Sequence, residues 1–272
     1  MSLKTPSLLD RILEPGGLTT VFQPIFENRP EGLKLHALEC LTRGPKGTNV
    51  ERADILFEYV RRKRAESLVD RACIATALAT ANTLPGLPHL TVNVHASTLG
   101  RDRDFLTFID EKASEHEVPP GRLTIEIAEQ LPFWDSRSFQ IALDGLKERG
   151  IAVALDDVGR EQSNYKMILD CRPDFFKIDR FFVKGCNADY YRLAILESVT
   201  SLAARFGARV VAEGLDNVPD IETVKSLGVP LFQGFYYSPP RSLADLRERY
   251  LPEWTAASFG VAPAAASPAS PV

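Results

Sequence analysis

Short apolar runs alternate with longer stretches in which apolar residues recur every three to four positions along most of this chain. Runs over residues 90–95, 123–128, 151–155, 175–178, 209–212 and 231–237 have the length and the β-branched and aromatic content of strands. Between and after them, residues 103–117, 136–149, 164–169, 188–206, 218–227 and 242–250 carry the spacing of helices. Nearer the N-terminus, residues 21–26 and 33–43 read as two strands around the turn Asn28-Arg29-Pro30-Glu31-Gly32, which makes a hairpin. One or two helices follow over residues 51–82, where Ile55, Leu56, Tyr59, Leu68, Val69, Ala72, Cys73 and Leu78 keep helical spacing. Strands alternating with helices argue for a parallel sheet, and eight strands over ~230 residues fit a closed α/β barrel better than an open sheet. An open doubly wound sheet is the competing arrangement, but the glycine-rich phosphate fingerprint it would carry is absent.

With 272 residues, 44% of them hydrophobic, the chain has material for one large core of the size common to single-domain barrels. One barrel domain is therefore expected over residues 18–252. A leading segment, residues 1–17, precedes it with a short helix and a Pro-Gly-Gly break. An Ala/Pro/Ser-rich tail, residues 253–272, follows and has the composition of a disordered segment.

A net charge of −4 leaves no electrostatic footprint for duplex nucleic acid. The one basic cluster, Arg61-Arg62-Lys63-Arg64, reads as the solvated end of a helix. No apolar stretch approaches the ~18 residues of a membrane span, and the N-terminus lacks a signal-peptide core, so a cytoplasmic location is expected. Cys40, Cys73, Cys171 and Cys186 are scattered without a Cys-x-x-Cys pair, which points to reduced, mostly buried thiols rather than zinc ligands or disulfides.

Function in a barrel sits where strands end and loops begin. The strand ends here carry Glu39 and Arg43, Asn93, Glu126 and Glu129, Asp156 and Asp157, Lys177 and Asp179, Glu213 and Asp216, and Gln233. Adjacent carboxylates at the mouth of a buried strand, as in Asp156-Asp157, repel each other and lose solvation, so they call for a cation. Taken alone, that pair is equally explained by one Asp capping the next helix and the other facing water. Several carboxylates and an amide converging on one rim form an all-oxygen ligand set, suited to magnesium or manganese rather than zinc or copper. Hard cations in turn imply phosphate chemistry.

The ordered motifs Phe22-Gln23-Pro24-Ile25, Glu39-Cys40-Leu41-Thr42-Arg43, Asn93-Val94-His95, Glu126-Ile127-Ala128-Glu129, Asp156-Asp157-Val158-Gly159, Asp174-Phe175-Phe176-Lys177-Ile178-Asp179, Ala212-Glu213-Gly214-Leu215-Asp216 and Gln233-Gly234-Phe235 resemble those of the EAL-domain family of cyclic di-GMP phosphodiesterases. The likeness spans about residues 18 to 250, with Glu-Cys-Leu in place of Glu-Ala-Leu. It implies a TIM-like (β/α)8 barrel whose first strand is antiparallel, in agreement with the hairpin, and metal-dependent hydrolysis of cyclic di-GMP to linear 5′-pGpG. By resemblance, Glu39, Asn93, Glu126 and Asp156 would hold one magnesium or manganese ion. Asp156 with Asp157 would hold a second, and Glu213 would act in the same cluster. Lys177 matches the family's essential lysine. Gln23, Leu41, Arg43, Asp179 and Gln233 fall where the family holds substrate, and Glu129 where it anchors the loop after the Asp pair. A second copy of the chain or a separate regulatory protein is the expected protein partner.

That loop departs from the family. Its usual Asp-Asp-Phe-Gly-Thr-Gly-Tyr-Ser-Ser is here Asp156-Asp157-Val158-Gly159-Arg160-Glu161-Gln162-Ser163-Asn164, without the second glycine and both aromatics. Ala128 also replaces a usual threonine, and Asp216 a usual glutamate. Slow hydrolysis is therefore expected, and a catalytically impaired cyclic di-GMP receptor is the alternative. A protein-interaction module that binds no nucleotide is disfavoured, because barrel packing has no need of Glu39, Asn93, Glu126 and Lys177.

Overall fold

The computed structural model describes residues 6–84, 86–128, 136–159 and 165–250. Eight strands close a barrel in chain order: β1 (Thr19–Arg29), β2 (Gly32–Arg43), β3 (His89–His95), β4 (Leu123–Ala128), β5 (Ala152–Val158), β6 (Phe175–Ile178), β7 (Arg209–Ala212) and β8 (Leu231–Phe232). β1 runs antiparallel to both β2 and β8, and every other pairing is parallel. The expected (β/α)8 barrel with an inverted first strand is the architecture found.

Period-two alternation sorts the strand residues between the interior and the surrounding helices. Outward residues such as Phe22, Leu38, Val92, Ile125, Val153 and Phe176 join the large core beneath the helices. Inward residues Ile25, Ala37, Val211 and Leu231, with Phe175, form a small apolar plug in the barrel. A third cluster, built on Leu56, Val60, Val69 and Cys73, takes up Ile12 of the N-terminal helix Leu8–Leu13. Among the described residues, no helix is long and apolar enough to cross a membrane.

Several boundaries differ from expectation for local reasons. The hairpin strands run on to Arg29 and Gly32, which pair directly, so the turn is tighter than the five residues suggested. The stretch 51–82 is two helices, Ala53–Lys63 and Glu66–Ala81, divided where Arg64 takes a left-handed conformation at φ 54°. A further helix, Ala96–Arg101, follows β3 directly. β8 has only two strand residues, because the chain turns at Gly234, where a Cβ would lie 2.1 Å from the Leu215 carbonyl oxygen. The C-terminal helix expected over residues 242–250 is a short α turn, Leu243–Asp245, followed by a π turn, Leu246–Tyr250.

Cys40, Cys73, Cys171 and Cys186 are all unbridged and buried, as expected. The basic cluster ends the Ala53–Lys63 helix, and Arg61 and Arg62 both pair with Glu58. The tail from residue 253 onward lies outside the described residues.

Candidate active site

The end of the barrel where the parallel strands finish gathers polar side chains from β2 to β8 or from the residues that directly follow them. At its centre is Lys177 of β6, which is 2% exposed. Its ammonium donates to Glu126 Oε1 and lies 2.7 Å from Glu213 Oε1, 3.3 Å from Asp156 Oδ1 and 3.5 Å from Glu39 Oε1. Register accounts for the convergence. Glu39 of β2 pairs with Thr91 of β3, Asn93 of β3 with Glu126 of β4, and Ala128 of β4 with Asp156 of β5. Polar inward residues on successive strands thus stack around one point. Asn93 Nδ2 donates to Glu39 Oε1 at 3.2 Å, and Gln233 Nε2 donates to Glu39 Oε2 at 2.5 Å. Both oxygens of this buried carboxylate are therefore held in place.

Asp174 and Asp179, the acids nearest Lys177 along the chain, are both engaged by backbone amides. Asp174 accepts from the Val153 amide at 2.8 Å, and Asp179 caps the short helix Arg180–Val183 by accepting from the Phe181 amide at 2.8 Å.

β5 continues three residues past its expected end, through the Asp pair. In a regular strand Asp156 and Asp157 would face opposite sides. Here the register shifts between Leu155 and Val158, and Asp157 takes a left-handed φ of 51°, a conformation that costs most non-glycine residues about 1–2 kcal/mol and aspartate less. The result brings one oxygen each of Asp156, Asp157 and Glu213 within 4.8 Å of one another.

The electrostatics are those of a site with one cation too few. Burial and the neighbouring Glu39 push Glu126 well above the ordinary carboxylate range, against the opposing pull of Lys177. Burial also raises Glu213; Lys177 counters it, while Asp156 and Glu39 add to it. For Glu39, burial is outweighed by Lys177 and by the amides of Gln233 and Asn93, and its pKa falls. Burial would lower Lys177, but the surrounding carboxylates, Asp156 and Glu126 foremost, raise it far above the normal lysine value. Glu126 Oε2 and Asp156 Oδ1 are buried without a hydrogen-bond partner, although Lys177 ion-pairs with the latter. Orphaned carboxylate oxygens in an oxygen-only cluster fit a hard divalent cation, and no imidazole or thiolate competes in this set.

A cavity of about 270 Å³ opens beside the cluster, lined by Gln23, Leu41, Asp179 and Gln233 as well as Glu39 and Glu213. The sequence reading missed Arg180, Gly214 and Phe235, which complete its wall. Gln23 is held by a 3.2 Å bond to the Ser238 carbonyl oxygen. Arg43, expected among the substrate-holding residues, is not part of this wall. It ends β2 beyond the rim, where its Nη1 donates to the Thr42 carbonyl oxygen at 3.0 Å. Asp216 lines the cavity but stands outside the carboxylate ring, 3.8 Å from Lys184. His95 caps the Ala96–Arg101 helix by accepting from the Ser97 amide. Glu129 and residues 160–164 lie outside the described residues. A second cavity of about 420 Å³ meets the site from the other side, reaching Asn93 and Asp157 from the Ala53–Lys63 helix.

Fold and site together define a class: a (β/α)8 barrel with an inverted first strand, a hard-ligand acidic rim and a buried lysine. The model of the EAL domain matches residues 7–240, and the chain belongs to that family. It is 29% identical over 251 residues to the probable cyclic di-GMP phosphodiesterase PdeG of Escherichia coli, covering 88% of this chain and 48% of that protein. Against the cyclic di-GMP phosphodiesterase PdeL of the same organism it is 27% identical over 180 residues, 65% of this chain and 48% of PdeL. The chain thus spans about half the length of these curated relatives. Among solved structures, a manganese and cyclic di-GMP complex of Klebsiella pneumoniae BlrP1 superposes with a TM-score of 0.74 at 26% identity, over 85% of this chain and 57% of that one. A cyclic di-GMP-bound standalone EAL protein of Vibrio cholerae shares the fold at a TM-score of 0.73 and 24% identity, over 83% and 93% of the two chains.

Proposed function

We propose that this chain hydrolyses cyclic di-GMP to linear 5′-pGpG in a reaction that requires magnesium or manganese. The observation that carries the reading is the buried Lys177 ammonium among Glu39, Glu126, Asp156 and Glu213. It accords with family membership and with relatives named cyclic di-GMP phosphodiesterases.

Glu39, Asn93, Glu126 and Asp156 would hold one metal, and Asp156 with Asp157 a second. Bound there, divalent cations supply a nucleophilic water at neutral pH and neutralise charge on the phosphoryl oxygens. The chain's own residues do the rest. Lys177, kept protonated by its carboxylate neighbours, presents a fixed positive charge to the anion that develops during attack. Gln233 and Asn93 lock both oxygens of Glu39, so the carboxylate needs no reorganisation during the reaction. Gln23, Leu41, Asp179 and Gln233 line the cavity in which a nucleoside half would be oriented, and Arg43 would have to swing from Thr42 to reach a phosphate. Glu213, already bonded to Lys177, completes the cluster and keeps the ammonium aimed.

The departure over residues 158–164 favours a second reading, a receptor that binds cyclic di-GMP with little turnover. A second copy of the chain or a regulatory protein as partner belongs to the same proposal. Purified protein incubated with cyclic di-GMP and manganese, followed by product chromatography, tests it. Accumulation of 5′-pGpG supports hydrolysis, tight binding without product supports the receptor, and the absence of both product and binding overturns both readings.

A further inference from the structure

We infer that Asp70 is a positioning residue for the metal site: from outside the barrel it fixes the end of β3 and so aims Asn93. Asp70 lies on the Glu66–Ala81 helix and is buried along with Val69, Cys73, Ile74 and Ala77. A carboxylate 3% exposed among such neighbours is costly to bury unless it has a dedicated use. Its Oδ2 accepts from the backbone amide of His95 at 2.9 Å and from the Thr98 hydroxyl at 2.5 Å. These are the N-cap and third residues of the Ala96–Arg101 helix, so one side chain from a separate helix caps the point where β3 becomes helical. Asn93 lies two residues upstream and donates to Glu39 Oε1. Asp70 also lines the cavity that reaches Asn93 and Asp157.

The same helix grips the other end of Ala96–Arg101. Ser67 Oγ and Arg71 Nε donate to Asp102 at 2.5 and 2.6 Å. Residues 67, 70 and 71 share one helical face, so this face clamps both ends of the short helix. Only the Asp70 clamp adjoins the metal-holding residues. The Asp102 clamp at the far end is a built-in comparison for purely structural effects.

Asp70's role rests on Asn93 holding a metal, as proposed above, and the test therefore reads manganese binding directly, by calorimetry or electron paramagnetic resonance, with no substrate present. Asp70→Leu keeps the branched shape but removes the oxygen that accepts both bonds, and Thr98→Val removes one bond while filling the same space, carrying the test where Asp70→Leu does not fold. Both should weaken manganese binding by about 10-fold or more, the scale on which supporting residues tune metal sites. Asp70→Asn, which keeps an oxygen for the His95 amide, should restore most of it. Ser67→Ala and Arg71→Gln should lower thermal stability with manganese affinity unchanged. Folded Asp70→Leu or Thr98→Val that binds manganese as tightly as the parent overturns the positioning role alone. A parent protein that binds no manganese overturns the reading of the rim, and Asp70's role with it.

Discussion

Replacing Lys177 by methionine keeps most of the side chain's volume and removes its charge, which leaves a ring of buried carboxylates without a counter-ion. Lys177 is buried, and Glu39, Glu126, Asp156 and Glu213 all lie within 3.5 Å or hydrogen-bond to it. Breaking a buried ion pair from one side costs about 3–5 kcal/mol, because the partner charge is left uncompensated. For a domain of this size that corresponds to a melting temperature lower by about 6–20 °C in metal-free protein near pH 8.

The pH dependence arises from the same groups. Without the ammonium, the carboxylates titrate above their unfolded values, and an acid whose folded pKa is raised favours the protonated, low-pH state. The deficit relative to the parent should therefore be largest at pH 8 and shrink as pH falls towards 5. Manganese should restore more stability to the variant than it adds to the parent, since it supplies the missing positive charge. The assay is thermal unfolding across pH 5–8, in chelator and in manganese. A variant as stable as the parent at pH 8, or one whose deficit grows on acidification, would refute Lys177 as the counter-ion of the ring.

Three further outcomes are expected. Glu39→Gln, which unsettles the bonds to Asn93 and Gln233 as well as removing a ligand charge, should abolish measurable 5′-pGpG formation while circular dichroism stays that of the parent; undiminished turnover removes Glu39 from the mechanism. Magnesium and manganese should support turnover and calcium should bind without supporting it well, given its preference for more ligands at longer distance; full activity in chelator-treated protein would sink metal dependence. Grafting the family sequence over residues 158–164 should raise turnover with little change in substrate affinity, because a ligand misplaced by about an ångström costs ~100-fold in rate. Equal turnover of graft and parent would clear the loop of any role.

Period-two and period-3.6 patterning is local, and it was enough to place the hairpin and the strand–helix beats. It also put Glu39, Asn93, Glu126, Asp156, Lys177, Glu213 and Gln233 at strand ends, which marks the rim as functional before any distance is known. What local patterning could not reach is every contact between strands. Lys177 and Glu126 are 51 residues apart, and Gln233 and Glu39 are 194 apart; only closure of the barrel and its register bring them together. The left-handed turn at Asp157 was hidden for a related reason. Aspartate there carries no mark of positive φ, and the shift depends on how β6 pairs beyond Leu155. Arg43 shows the converse: a residue of the right type at the right strand end, turned to its neighbour's carbonyl by a bond that composition does not reveal. Asp70 left one trace, a charge among the apolar residues Val69, Cys73, Ile74 and Ala77 of its helix. Its partners His95 and Thr98 belong to a different element, so the tertiary packing of two helices decided what that charge is for.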